Sequence, residues 1–119
     1  MEKRILIVED EDLIISTVEA LLQKMKINYD TAKNGKEAIE KFKNEKFDLI
    51  ITDIFMPVMD GFQLIEEIKK IHSDIPIIVI SGYIDNETVR KIKNLGANEY
   101  IEKPFSLLDV KKSIEKYLK

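Results

Sequence analysis

Short apolar runs rich in Ile and Val alternate along the chain with longer segments whose apolar residues recur at helical spacing. The runs Arg4–Val8, Asn28–Thr31, Leu49–Thr52, Ile77–Ser81 and Glu99–Ile101 read as strands. The central ones are nearly all apolar, as a parallel strand covered on both faces must be. Ile27-Asn28-Tyr29-Asp30 alternates instead and suits an edge strand. Between the runs, Ile14, Val18, Leu21, Leu22 and Met25 form one helical stripe, Ala38, Ile39 and Phe42 a second, and Leu64, Ile65, Ile68 and Ile71 a third. Asp85 or Asn86 caps a fourth helix through Leu95 that Gly96 terminates, and Ser106 caps a fifth with Leu107, Val110, Ile114 and Leu118 on its inner face. The order strand, helix, strand, helix predicts an α/β fold, a three-layer (βα)5 doubly wound parallel sheet in one domain over 1–119. Ligands of such a sheet bind in the crevice beyond the C-terminal strand ends.

Composition narrows the chemistry. Hydrophobic residues make up 45% and charged residues 34%, an ordinary globular balance with no repeat or low-complexity tract. The lack of cysteine excludes disulfides, thiolate metal sites and a cysteine nucleophile, and points to the cytoplasm. Only Ile5–Val8 are apolar before the first acids, too few for a signal peptide. The longest apolar run, Ile75 to Ile80, is interrupted by Pro76, so no membrane span is expected. With 19 Lys plus Arg against 22 Asp plus Glu the formal charge is -3, which gives no electrostatic case for direct nucleic acid binding. Lys111, Lys112, Lys116 and Lys119 are expected to form a solvated helix face, and His72 to lie on the surface. Phe42, Phe47, Phe62 and Tyr117 are expected to be core or rim packing.

The strand ends carry the reactive groups. The first strand runs into Glu9-Asp10, the third into Asp53, the fourth into Ser81-Gly82 and the fifth into Glu102-Lys103-Pro104. Carboxylates gathered in one crevice repel by about 4 kcal/mol for a pair roughly 4 Å apart at an effective dielectric near 20. Oxygen ligands without cysteine or a well-placed histidine favour a hard cation, and Mg²⁺ held by one or two carboxylates, waters and phosphate oxygens fits best. Lys103 supplies a second positive charge. A carboxylate beside both is a competent phosphoryl acceptor, because metal and ammonium neutralise the transferring oxygens.

The acidic pair Glu9-Asp10, the segment Asp48-Leu49-Ile50-Ile51-Thr52-Asp53-Ile54-Phe55-Met56-Pro57-Val58-Met59-Asp60-Gly61, the pair Ser81-Gly82 and the segment Tyr100-Ile101-Glu102-Lys103-Pro104-Phe105 together resemble the receiver domains of two-component response regulators, over the whole chain. The likeness is to single-domain, chemotaxis-regulator-like members. It implies a flavodoxin-like sheet of order 2-1-3-4-5. It also implies Asp53 as phosphoacceptor, Asp10 and Asp53 as direct Mg²⁺ ligands with the Phe55 backbone carbonyl, and Glu9 as a ligand through water. Ser81 and Tyr100 are the implied switch pair and Lys103 the implied phosphoryl contact, next to a cis bond to Pro104, an isomer found in only about 5–6% of X-Pro bonds. The implied partners are a sensor histidine kinase or a histidine phosphotransfer protein, and an output partner or second copy at the face of the fourth helix, fifth strand and fifth helix. Serine stands at position 81 where threonine is often found, and Phe55 and Tyr83 are bulky where they would obstruct an attacking water. Met1 and the stop after Leu118-Lys119 suit either a stand-alone regulator or a receiver cut from a longer protein.

Three rival readings are weaker. Asp10-Glu11-Asp12 superficially matches the Asp-x-Asp of aspartyl-phosphate phosphatases, but Ile14 stands where that motif wants Thr or Val. A nucleotide cradle needs closely spaced glycines, and Gly35, Gly61, Gly82 and Gly96 are far apart. A receiver that had lost phosphorylation would be expected to lack Asp10, Asp53 or Lys103, and all three are present.

Overall fold

The structure is a computed structural model and describes residues 2–118. Met1 and Lys119, the last of the C-terminal lysines named above, lie outside the described residues. The strands are β1 (Arg4–Val8), β2 (Asn28–Ala32), β3 (Leu49–Thr52), β4 (Ile77–Ser81) and β5 (Glu99–Glu102). They alternate with the helices α1 (Asp12–Lys24), α2 (Gly35–Asn44), α3 (Gly61–Ile71), α4 (Asn86–Leu95) and α5 (Leu107–Tyr117). All strand pairs are parallel, in the order β2-β1-β3-β4-β5, as expected. Strands β2 and β5 each run one residue beyond the sequence reading, because Ala32 still pairs with Val8 and Glu102 with Ser81.

Successive side chains of a strand point to opposite faces, and the core divides accordingly. Leu6, Val8, Ile50, Ile77 and Val79 pack with Ala38, Ile39 and Phe42 of α2, Leu64, Ile65 and Ile68 of α3, and Ile92 of α4. Ile5, Ile7, Leu49, Ile51, Ile78 and Ile80 pack on the other side with Val18, Leu21 and Leu22 of α1 and Val110 and Ile114 of α5. Strands β3 and β4 are buried at every position, whereas β2, at the edge, is buried only at Ala32. Burial of each such Ile or Leu contributes about 1.5–3 kcal/mol.

Most helical stripes lie where the spacing puts them, with three exceptions. Ile15 is buried and Ile14 only partly so, because α1 begins at Asp12 and turns Ile15 onto the sheet. Ile71 is 46% exposed at the last position of α3, where the helix has run past the sheet. Leu107 is 41% exposed in the first turn of α5, whose buried positions are Val110, Ser113 and Ile114. Ser113 is satisfied there by donating to Glu99 Oε2 at 2.7 Å.

Four helices start on a side chain that accepts from a first-turn amide: Asn34 from Glu37, Asp60 from Gln63, Asp85 from Thr88 and Ser106 from Leu108. Gly96 ends α4 at φ 124, a conformation that L side chains rarely adopt. Phe42 and Phe47 are buried and stacked with centroids 6.4 Å apart, while Phe62 and Tyr117 are half-buried rim residues. His72, Lys111, Lys112 and Lys116 are exposed. No helix among the described residues is long and apolar enough to cross a membrane.

Candidate functional site

Parallel pairing brings the C-terminal ends of β1, β3, β4 and β5 to one edge of the sheet, and the next one or two residues of each turn into the crevice. Register fixes the neighbours: Val8 pairs with Thr52, so Glu9 and Asp53 leave adjacent strands side by side. Both are buried, at 3% and 5% exposure, whereas Asp10 is exposed. One carboxylate oxygen from each of Glu9, Asp10 and Asp53 lies within 4.8 Å of the others.

Lys103 crosses from the end of β5 and is the cation of the cluster. Its Nζ donates to Asp53 Oδ2 at 2.9 Å, Glu9 Oε1 at 3.0 Å and Glu11 Oε1 at 3.2 Å. The Lys103-Pro104 peptide is cis. Asp53 Oδ1 faces the other way and accepts from the amides of Ile54 at 2.6 Å and Phe55 at 3.2 Å. The carboxylate is therefore held at both oxygens.

The electrostatics follow from burial and pairing. Burial pushes the Glu9 carboxyl up to about 7; the hydrogen bond from Lys103 opposes the rise and the Asp53 charge adds to it. Burial also works against the Lys103 charge, but hydrogen bonds to Asp53 and Glu9 outweigh it and hold that group above the ordinary lysine range. One ammonium thus leaves three neighbouring acids under-compensated, and an all-oxygen donor set of this kind fits a hard divalent ion of the Mg²⁺ class.

The loop after Asp53 is tightly built. Gly61 donates to the Ile54 carbonyl at 2.8 Å, and a Cβ at Gly61 would lie 2.6 Å from the Asp53 carbonyl oxygen, so only glycine allows this approach. Met59 N bonds Pro57 O at 2.9 Å across a three-residue turn whose central Val58 has φ 73, a strained conformation for a β-branched residue. Phe55 and Tyr83 are 60% and 74% exposed.

Ser81, at the end of β4, is fully buried, and its Oγ has no hydrogen-bond partner, the one such side-chain atom among the described residues. Buried hydroxyls are rarely left so. Tyr100 lies on β5 opposite Val79, half-buried against the α2–α3–α4 side of the core, and donates its hydroxyl to the Gly82 carbonyl at 2.8 Å. It is neither free nor fully exposed.

Glu9, Asp10, Asp53 and Lys103 thus converge as the sequence predicts. The Asp-x-Asp alternative does not: Asp12 is turned away on α1, its Oδ1 3.0 Å from Lys33 Nζ. Sequence reasoning assigned no role to Glu11, which contacts Lys103. Its place directly after the acidic pair was the only available signal.

Comparison with known proteins gives a consistent result. The response regulator receiver domain, as a family, matches residues 5–115. The transcriptional regulatory protein CrdR of Helicobacter pylori is 34% identical over 118 residues, covering 98% of this chain and 55% of CrdR. The transcriptional regulatory protein KdpE of Staphylococcus aureus is 38% identical over 114 residues, covering 96% of this chain and 49% of KdpE. The chain therefore spans about half the length of the curated relatives it matches. A CheY-like receiver domain protein from Methanospirillum hungatei superposes with a TM-score of 0.94 at 32% identity, covering 99% of this chain and 94% of that one. Chemotaxis protein CheY4 of Vibrio cholerae does so with a TM-score of 0.92 at 28% identity, covering 98% and 99%.

Proposed function

We propose that this chain, which belongs to the response regulator receiver domain family and so to the phosphoacceptors of two-component signalling, takes its phosphoryl group on Asp53. The observation that carries this reading is the Lys103 ammonium held between the buried carboxylates of Asp53 and Glu9 at 2.9 and 3.0 Å. An Asp53 oxygen forms the new P–O bond while the P–N bond to a donor histidine breaks, and the imidazole nitrogen keeps the electron pair. The donor belongs to another molecule, a sensor histidine kinase or a histidine phosphotransfer protein, since His72 is exposed at the end of α3, the far end of the fold from Asp53. Lys103 neutralises charge on the transferring oxygens, and the Ile54 and Phe55 amides fix the carboxylate that attacks. Asp10, Asp53 and the Phe55 carbonyl would hold Mg²⁺ directly, and Glu9 through water. Bound there, the ion supplies further charge neutralisation to the phosphoryl oxygens.

The signal leaves through Ser81. Its unpartnered buried Oγ gains a charge-assisted hydrogen bond when a phosphoryl oxygen arrives, worth about 1.5–3 kcal/mol if well formed. The lower end of that range cancels a tenfold preference between two packings, at about 1.4 kcal/mol per factor of ten, and the upper end reverses it. Movement of Ser81 displaces the adjoining Gly82 carbonyl on which Tyr100 is anchored, so Tyr100 and α4 repack. The output partner or a second copy docks at the α4–β5–α5 face. The domain, 1–119, assists only its own phosphorylation and dephosphorylation, acts in the cytoplasm, and does not itself bind nucleic acid. Incubation with acetyl phosphate and Mg²⁺ should attach one acid-stable, base-labile phosphoryl group, absent in Asp53→Asn. Full labelling of that variant would overturn the assignment.

A further inference from the structure

We propose that Glu11 is a positioning residue that parks the Lys103 ammonium and must release it when a phosphoryl group arrives. This rests on the reading of Asp53 and Lys103 given above. Glu11 occupies the N-cap of α1, the position at which Asn34, Asp60, Asp85 and Ser106 each bond a first-turn amide of their own helix. Its side chain makes no such bond and accepts instead from Lys103 Nζ at 3.2 Å.

An ammonium has three donors, and those of Lys103 are taken by Asp53, Glu9 and Glu11. A phosphoryl oxygen that is to contact Lys103 must displace one of them. The Glu9 and Asp53 side chains are 4% and 6% exposed, and both are still carboxylates while the phosphoryl group approaches and before the P–O bond forms, so stripping either at that stage leaves a charge out of water. The Glu11 side chain is 62% exposed and rehydrates on release. Glu11 is therefore the one that gives way. Its backbone amide meanwhile donates to Glu9 Oε2 at 3.2 Å, which keeps Glu9 in place when the side chain leaves and is unaffected by substitution of that side chain.

Glu11 thus competes with phosphoryl oxygens for Lys103 without touching the reacting atoms. Removal of the contact should tighten binding of a phosphoryl-like anion and lower KM for a small donor by about two- to five-fold, the range for an exposed ion pair, while leaving kcat unchanged. The test compares the wild type with Glu11→Gln, Glu11→Asp and Asp12→Asn, measuring beryllofluoride affinity by fluorine NMR, and KM and kcat for acetyl phosphate, all with Mg²⁺. Glu11→Gln should show the gain. Glu11→Asp, one methylene too short to reach Lys103, should share it despite keeping its charge. Asp12→Asn should match the wild type, because that acid is engaged with Lys33. A Glu11→Gln protein identical to the wild type would overturn the inference and leave the Asp53 assignment standing. Equal gains in Glu11→Gln and Asp12→Asn, with Glu11→Asp unchanged, would also overturn it, since a general field and not a tether would then be acting. A wild type that neither binds beryllofluoride nor takes a phosphoryl group would remove both readings.

Discussion

Lys103 and Asp53, 50 residues apart in sequence, meet with Nζ 2.9 Å from Oδ2, and the same ammonium reaches Glu9 at 3.0 Å. The lysine is therefore structural before it is catalytic. Lys103→Met should leave two buried carboxylates without their cation and cost about 3 kcal/mol in metal-free buffer, the lower end of the range for breaking a buried pair. Mg²⁺ should recover part of that loss by replacing the missing charge. Urea denaturation with and without Mg²⁺ measures both effects. Equal stability of variant and wild type without metal would show that the acids are not held by Lys103.

Glu9 gives the apo protein a pH dependence of definite sign. Its folded pKa, about 7, lies above the ordinary 4.5, so the folded state binds this proton more tightly than the unfolded chain does. Its contribution to stability is present below the unfolded value and is lost as pH rises from about 4.5 through about 7, by at most about 3 kcal/mol at roughly 1.36 kcal/mol per pKa unit. Glu9→Gln should flatten stability over that window when followed by chemical denaturation at fixed ionic strength. A loss of the same size in the variant would assign the dependence to another group.

The unpartnered Ser81 hydroxyl predicts a separation of stability from signalling. Because burial of Oγ without a partner carries a desolvation cost, Ser81→Ala should be as stable as the wild type or up to about 1 kcal/mol more so. It should still accept phosphate. Amide NMR shifts at Tyr100 and along α4, expected in the phosphorylated wild type, should be much reduced in the variant. Full shifts in Ser81→Ala would mean that the signal leaves by a route other than Ser81.

Val58 holds strain in the loop beside Asp53. Its side chain is 76% exposed and contributes little packing, whereas φ 73 is unfavourable for a β-branched residue. Val58→Gly should stabilise the protein by about 0.5–1 kcal/mol after allowance for the flexibility glycine adds to the unfolded chain. Thermal melting reads this directly, and a lowered midpoint would show that the turn is not strained.

Most of the fold was legible because parallel strands buried on both faces leave continuous apolar runs in the sequence. Leu49–Thr52 and Ile77–Ser81, central in the sheet, show no alternation of apolar and polar residues and lie where expected. Asp53, Asp10, Glu9 and Lys103 were legible because each follows a strand whose end the topology fixes. Helical periodicity does not say where a helix outruns its sheet, which is why Ile71 and Leu107 face solvent. Nor does any local pattern mark a hydrogen bond between residues far apart in the chain, so the Glu11 contact with Lys103 and the Tyr100 bond to the Gly82 carbonyl emerged only from the assembled strand ends.

Chemical mapping of the phosphorylated residue tests directly whether Asp53 is the phosphoacceptor. Borohydride reduces an aspartyl phosphate to homoserine, so reduction of the phosphorylated protein followed by peptide sequencing reports which carboxylate carried the group. Homoserine is expected at position 53 and nowhere else. Homoserine at position 10, or at any position other than 53, would contradict it.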